Sequence, residues 1–541
     1  MITMFQGIFK KQITSITVAA GLVAVSSLAS RLLGILRDRI LAGEFGAGST
    51  LDIYYAAFRI PDLVFNLVVL GALSAGFIPI FTSLMRPSDQ ENGAAWNLAN
   101  NVLNYLFIGI GLLSVMGIIF APALMRLIAP GFNPEEQTMV VSLTRIMFLS
   151  PLFLGISGIL GGILQSFRRF LIYSLAPIFY NLGIIIGALY FTQWWGIRGL
   201  AWGVILGAVL HMVIQIPAAY QLGFRYRWQL RRHDEATGRI ARLMVPRTLS
   251  LAVSQINLVV ITAIASGLSS GSLAIFNFAN NLQSFPIGIF GVSFAIAAFP
   301  ALSAAAFDND SLQDNFSRTL RQIFFFIVPA TVFIIALRAQ IIRVVLGTGN
   351  FDWEDTVLTM NTLGFFALSL FAQAAIPLLT RMFYARQDSK TPFYLGLVTV
   401  VANIVLALLL APRLGVSGLA LAFSVASILN FILLWLWLGA RLGSLDIGNI
   451  LTSVLKFTAG AIMAGATVQI VKLAVWPFID MTKFSGVFIQ LAASLGAGSF
   501  VYLGVCYLLR SEELAGFLTA FRARLPFGKV KVGDQGEAQG M

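Results

Sequence analysis

GIRGLAWGVILGAVLHMVIQ, residues 196–215, aligns with GVSGLALAFSVASILNFILL, residues 415–434. Ahead of each copy lies an apolar stretch with an asparagine at mid-length, Asn181 in YNLG and Asn403 in ANIV. A second pair, ALSAGFIPIFTSL (72–84) and GVSFAIAAFPALS (291–303), follows the same order. Helices rich in Gly, Ala and Leu resemble each other by composition alone, but here motif order and spacing also agree. An even number of apolar stretches separates the copies, so both share one orientation across a bilayer. That pattern predicts two six-helix lobes related by a pseudo-two-fold axis along the membrane normal.

Composition supports the membrane reading. The chain is 58% hydrophobic and only 11% charged, against roughly 25% charged in soluble domains, and its mean hydropathy is +0.86. Apolar stretches of about 20 residues, long enough to span the hydrocarbon as helices, recur from Ile16 to Leu509. The expectation is an all-α polytopic protein with about fourteen transmembrane helices, near 16–40, 52–84, 97–128, 137–166, 171–192, 199–222, 244–268, 272–305, 319–346, 356–383, 392–411, 416–440, 450–473 and 485–509. No run of short alternating segments suggests a β-barrel. The first stretch lacks a small-residue cleavage site and reads as a retained helix. Pro61, Pro79, Pro151, Pro246, Pro286 and Pro329 are candidate kinks.

Charge alternates from one connection to the next. One side collects Lys10, Lys11, Arg86, Arg168, Arg169, the Arg-rich loop 224–243, Arg386, Lys390, Arg441 and the tail. The other carries PGFNPEEQ and GNFDWED, with scattered Arg198, Arg413 and Lys483. The positive-inside rule then places both termini in the cytoplasm. The expected organisation is a cytoplasmic N-terminus (1–15), an N-terminal lobe (16–222), a basic cytoplasmic linker (223–243), a C-terminal lobe (244–440), two further helices (450–509) and a cytoplasmic tail (510–541). The net charge of +13 is spread over many loops, which suits topology and anionic lipid rather than nucleic acid.

Catalytic chemistry finds no foothold. There is no GxxxxGK[ST] and no HExxH, and Cys506 stands alone, so a disulfide within the chain is impossible. His211 reads as a packed polar residue and His233 as a solvated one. The chain is expected to be a transporter rather than an enzyme, without metal or cofactor.

SRLLGILRDRI, residues 30–40, places Arg31, Arg37, Asp38 and Arg39 where lipid is expected. A charge at the bilayer centre costs about 3 kcal/mol on insertion scales, so such groups should face a wet cavity or one another. Arg31 and Asp38 are seven residues apart and share a helix face, with Arg37 flanking it. The next helix adds Asp52, and Arg59 with Asp62 around Pro61, close enough to pair locally. Arg145 and Arg247 follow in later helices, and Arg338, Arg343 and Arg381 read as serving helix ends or packing. Arg37 and Arg39, near the helix end, could instead snorkel to the outer headgroups, which is the favoured reading for Arg39. The guanidinium fork suits phosphate through bidentate, charge-assisted hydrogen bonds, so an Arg-rich cavity points to an anionic substrate.

SRLLGILRDRILAGEFGAGSTLDIYYAAFRIPDL (30–63) strongly resembles the opening of the MurJ/MviN-type lipid II flippases. The likeness continues through LSAGFIPI, LVVITAIASGL, FPIGIFGVSFAIAAFPALS and FYARQDSKTPF (383–393), covering roughly Ala20 to Arg510. It implies a fourteen-helix fold of the multidrug/oligosaccharidyl-lipid/polysaccharide exporter superfamily, in the bacterial cytoplasmic membrane. It also implies movement of undecaprenyl-pyrophosphate-linked peptidoglycan precursor from the inner to the outer leaflet by alternating access. The last two helices would then form a groove for the lipid tail. Arg31, Arg37, Asp38 and Asp52 match charged positions of that family, and Arg59 a basic one. Phe65, Asn66, Leu70 and Asn281 stand where the family often carries charge, so Asn280, Asn281, Arg145 and Arg247 are the substitute candidates for head-group contacts. Two alternatives stay open: export of another polyprenyl-linked oligosaccharide, and a non-transporting membrane scaffold of wall synthesis.

Overall fold

The computed structural model describes residues 16–71, 76–85, 93–232, 234–443 and 445–524, and side chains at most of these. Lys10, Lys11, Arg86, His233 and the tail beyond residue 524 lie outside the described residues, as do the side chains of Leu70 and Arg247. Nearly all the described chain is helical. The first helices are α1 (Ile16–Phe45), α2 (Ser49–Val64), α3 (Ile78–Leu84), α4 (Gly93–Ile128), α5 (Pro134–Met147), α6 (Ser150–Ser166) and α7 (Phe170–Ile186). Then come α8 (Arg198–Val213), α9 (Ile216–Gln221), α10 (Glu235–Ser266), α11 (Ser272–Pro286), α12 (Ser293–Ala304) and α13 (Asn309–Val345). The last are α14 (Trp353–Ala367), α15 (Leu370–Ala385), α16 (Lys390–Leu414), α17 (Val416–Leu442), α18 (Ile447–Val475), α19 (Phe484–Leu508) and α20 (Glu512–Arg524).

Ten spans among the described residues are long and apolar enough to cross a membrane, or eleven if α14 and α15, bent by 46°, count as one. Segments 16–40 and 52–84, helical wherever described, and 244–268, helical to Ser266, stand outside that set, the last contributing only the shorter apolar helix Leu251–Ser266. Proline shapes several spans. Pro61 lies inside α2 and is followed by a π turn at Phe65–Leu70; Pro286 ends α11 and is followed by another at Ile287–Val292. Each ring removes a backbone donor, and the wider turn re-registers the ladder.

The chain divides into two compact units. The first comprises residues up to Phe285 with Ile341–Ser369 and Lys390–Asn430. Its tightest packing is α7 on α8, and glycine is the cause. A Cβ on Gly183 would lie 2.2 Å from the Gly207 nitrogen, and one on Gly187 would lie 2.4 Å from the Gly203 Cα. Small residues at four-residue spacing let two backbones touch, the main source of helix association in lipid. The segment expected as a basic linker is fastened to α4. Asn100 accepts from the Arg227 N–H at 2.8 Å and donates to the Arg225 carbonyl at 3.0 Å. Asn101 accepts from the Arg231 N–H at 2.7 Å, and Asn104 donates to the carbonyls of Arg227 and Gln229. An unpaired backbone needs partners, and NLANNVLN supplies them at helical spacing.

The second unit comprises Pro286–Gln340, Leu370–Ser389 and residues from Phe431 onward. Phe325, Phe457 and Tyr502 cluster in its core, and the Tyr502 hydroxyl donates to the Phe325 carbonyl at 2.6 Å. Arg321 pairs with Glu512 at 3.1 Å and Glu513 at 3.2 Å, fastening α20. Asp388 of the FYARQDSKTPF motif pairs with Arg441. Cys506 is free and buried, as expected of a structural thiol.

Candidate functional site

The intramembrane charges of the first unit converge on one end of α1. The Arg37 guanidinium holds its neighbour Asp38 by two bonds to Oδ1, from Nη2 at 2.7 Å and Nε at 3.0 Å. Its Nη1 donates to Asn181 Oδ1 of α7 at 3.0 Å. Asp38 Oδ2 accepts from Asn281 Nδ2 of α11 at 2.8 Å. Asp38 is 5% exposed, and a carboxylate buried that deeply needs such partners around it. Asn281, the neutral residue where the resemblance led one to expect arginine, thus leaves Asp38 with one cation and Arg37 with one anion.

Ser27, Arg31, Gly34 and Asp38 form one stripe of α1, spaced four, three and four residues apart. Ser27 and Arg31 are exposed, and a Cβ on Gly34 would meet nothing within 4 Å. The stripe is therefore open along its N-terminal part and closed at Asp38. No described residue pairs with Arg31, the one charge of this group left free.

A second polar node lies on α2. Arg59 was expected to pair with Asp62; it does not. Its Nε donates to Thr262 Oγ1 at 2.7 Å, and Nη2 donates to Asn277 Oδ1 at 3.1 Å. Partners on α10 and α11 draw the fork across, leaving Asp62 without an ion pair among the described residues. The Tyr55 hydroxyl is buried with no partner. Asn280 accepts from Gln283 at 3.1 Å, and among the described residues no hydrogen bond joins it to Arg37 or Asp38.

Beyond Asp38 the unit is shut. Asp52 accepts from the backbone N–H of Gly271 at 2.7 Å and Ala274 at 2.8 Å, so it caps the start of α11. Asp355 accepts from the Ala47 N–H at 2.9 Å, and the Asn350 N–H donates to the Gly43 carbonyl at 2.8 Å. Arg39 does not snorkel: its Nη1 donates to the Val344 carbonyl at 2.5 Å in the last turn of α13, where cations are favoured. Gly46, Gly271 and Gly349 hold left-handed φ values of 64°, 87° and 54° along this seam. A Cβ on Gly271 would come within 1.8 Å of the Ala47 carbonyl oxygen.

Of the sequence-derived candidates, the structure brings together Arg37, Asp38 and Asn281, places Arg31 on the open stripe, and puts Asp52 in the closing seam. Arg145 stands apart, its Nε donating to the Ile118 carbonyl at 3.2 Å in a different cavity. Arg247 lies outside what can be described at side-chain level. Asn181 was visible only as a marker of the repeat, and its position at mid-helix beside the charged helix was the signal that it serves the site. Thr262 and Asn277 carried no sequence signal.

Comparison with known proteins agrees with this architecture. The family described as "Lipid II flippase MurJ" matches residues 41–489. A "Probable lipid II flippase MurJ" of Rhizobium tropici is 31% identical over 431 residues, covering 77% of this chain and 80% of that one. The relative of that name from Bdellovibrio bacteriovorus is 29% identical over 506 residues, covering 92% and 95%. Among solved structures, "Lipid II flippase MurJ, inward closed conformation" superposes with a TM-score of 0.74 at 24% identity, covering 90% of this chain and 99% of that one. An inward-facing multidrug transporter of the MATE family gives 0.66 at 17% identity, covering 78% and 99%. At these identities the structures attest the fold, and the profile and relatives attest the family. The chain belongs to the MurJ family of lipid II flippases.

Proposed function

We propose that this chain moves lipid II, the undecaprenyl-pyrophosphate-linked peptidoglycan precursor, from the inner to the outer leaflet of the bacterial cytoplasmic membrane. The observation that carries the reading is the open stripe of α1, with free Arg31 on it and the Arg37–Asp38 pair at its closed end. A diphosphate entering along that stripe meets Arg31 first. It then competes with Asp38 for the Arg37 fork, which matches phosphate oxygens in the same bidentate way. Asn281 and Asn181 supply amide donors as the pair rearranges, and Arg59 and Asn280 stand further along. The polyprenyl tail stays in lipid, so only the polar head needs a path, and α18 and α19 are its groove.

Alternating access follows if the Asp52–Gly271 seam opens when the stripe closes, with the two six-helix lobes rocking about the repeat axis and both termini cytoplasmic. Loss of the Arg37–Asp38 attraction to a bound anion supplies a coupling between site and seam, because Asp38 and the seam residue Gly43, whose carbonyl accepts from the Asn350 N–H, lie close together on α1. Neutral Asn281 favours one variation on this reading, a lipid-linked head group of lower charge than a diphosphate disaccharide-peptide.

The test is complementation of cells depleted of their own lipid II flippase. Growth with wild-type chain and outward appearance of the precursor support the proposal. Failure to appear outside, with the chain abundant in the membrane, rejects it.

A further inference from the structure

We propose that the cavity bounded by Arg126, Arg145 and Arg198 is a second binding site, for the phosphate headgroup of an anionic phospholipid. Its volume is about 1130 Å³, room for a headgroup and glycerol backbone. The three arginines come from separate elements: the last turn of α4, the last turn of α5 and the first residue of α8. All are exposed, no carboxylate lines the cavity, and none of the three forms an ion pair among the described residues. Three like charges around one space repel each other, and an anion with several oxygens removes that repulsion while accepting from their forks.

Placement argues for a lipid. The cavity opens beside the 129–133 and 196–197 connections, at helix ends, where Trp195 and Trp202 also line it. Exposed tryptophans mark the interface between headgroups and hydrocarbon, and Trp194 and Trp195 are 70% and 51% exposed. Leu112, Ile119 and Leu127 expose an apolar face on α4 along which acyl chains can lie. Gln137 lines the same cavity; its Nε2 donates to the Ala129 carbonyl, while its buried Oε1 has no partner. A glycerol headgroup brings no cation of its own among the three arginines, so it fits better than a choline one.

The repeat offers an internal control. Arg198 aligns with Ser417 in the second copy, so the fold itself does not require arginine there. The site shares no lining residue with the Arg37 cluster, and the inference stands whether or not the flippase reading does.

The experiment is native mass spectrometry of the full chain, delipidated in detergent and then offered phosphatidylglycerol, phosphatidylcholine or inorganic phosphate. Wild type should retain phosphatidylglycerol at least about fivefold over phosphatidylcholine, the scale of a lost charge-assisted bond. The triple variant Arg126→Gln, Arg145→Gln, Arg198→Gln should lose that preference, and the corresponding triple lysine variant should keep most of it. Equal retention by wild type and the glutamine variant overturns the proposal. So does full displacement of the lipid by millimolar inorganic phosphate, which assigns the cavity to a free anion. Should the triple variant not fold, Arg126→Gln alone must still lower the preference, and an unchanged ratio overturns the proposal equally.

Discussion

Arg37 and Asp38 are adjacent in sequence yet act as one buried unit, and removing either leaves the other uncompensated. Breaking such a pair costs about 3 kcal/mol, whereas replacing both members with apolar residues is often near neutral. Asp38→Leu is therefore expected to lower the melting temperature in detergent sharply, and Arg37→Leu with Asp38→Leu to recover most of it. Recovery without transport would separate folding from function; a double variant as unstable as the single one would contradict the pairing. At this scale the sequence was partly legible. Charge in an apolar context flagged Arg31, Arg37 and Asp38 because the bilayer makes such residues expensive. The partners were not flagged. Asn281 and Thr262 lie hundreds of positions away, and nothing in local pattern says which side chain a guanidinium will reach.

The element that closes the unit is a seam of backbones. Gly271 is left-handed and has no room for a methyl group, so Gly271→Ala should part the seam rather than merely strain it. Thr348, whose methyl carbon would lie 2.7 Å from a Cβ on Gly43, reports on this. In a Cys506→Ser background, Thr348→Cys should react severalfold faster with an impermeant maleimide when Gly271→Ala is present. Equal rates would show that the seam does not depend on that approach. Which backbones meet at Gly46, Gly271 and Gly349 is a tertiary fact that no local pattern states. The linker teaches the same lesson: its Arg content led to an expectation about its side of the membrane, while the buried asparagines of α4 that hold it down read only as polar residues in a helix.

Over the whole molecule, the two aligned stretches expected from the sequence lead to a contrast between their neighbouring asparagines. Asn181 hydrogen-bonds Arg37 near the end of α1, and its counterpart Asn403 hydrogen-bonds Asn257 near the end of α10 at 2.9 Å. The asparagine ahead of the first aligned stretch thus serves a charged node and the one ahead of the second a neutral node. Asn403→Leu should cost stability, about 1–3 kcal/mol for the stranded amide, yet retain transport. Asn181→Leu should lose transport even where the protein accumulates normally. If both variants transport alike, the asymmetry has no functional meaning. Periodicity exposed the all-helical architecture because lipid enforces helices of fixed length; charges break the apolar run in the first two segments, which stand outside the ten spans.

Arg31 offers the most direct test, since it is exposed and unpaired and its loss should not disturb folding. The measurement is the outer-leaflet accessibility of lipid II in cells depleted of their own flippase and carrying Arg31→Ala at wild-type abundance. Precursor trapped on the inner leaflet is the expected result. Precursor reaching the outer leaflet at the wild-type rate would contradict the account.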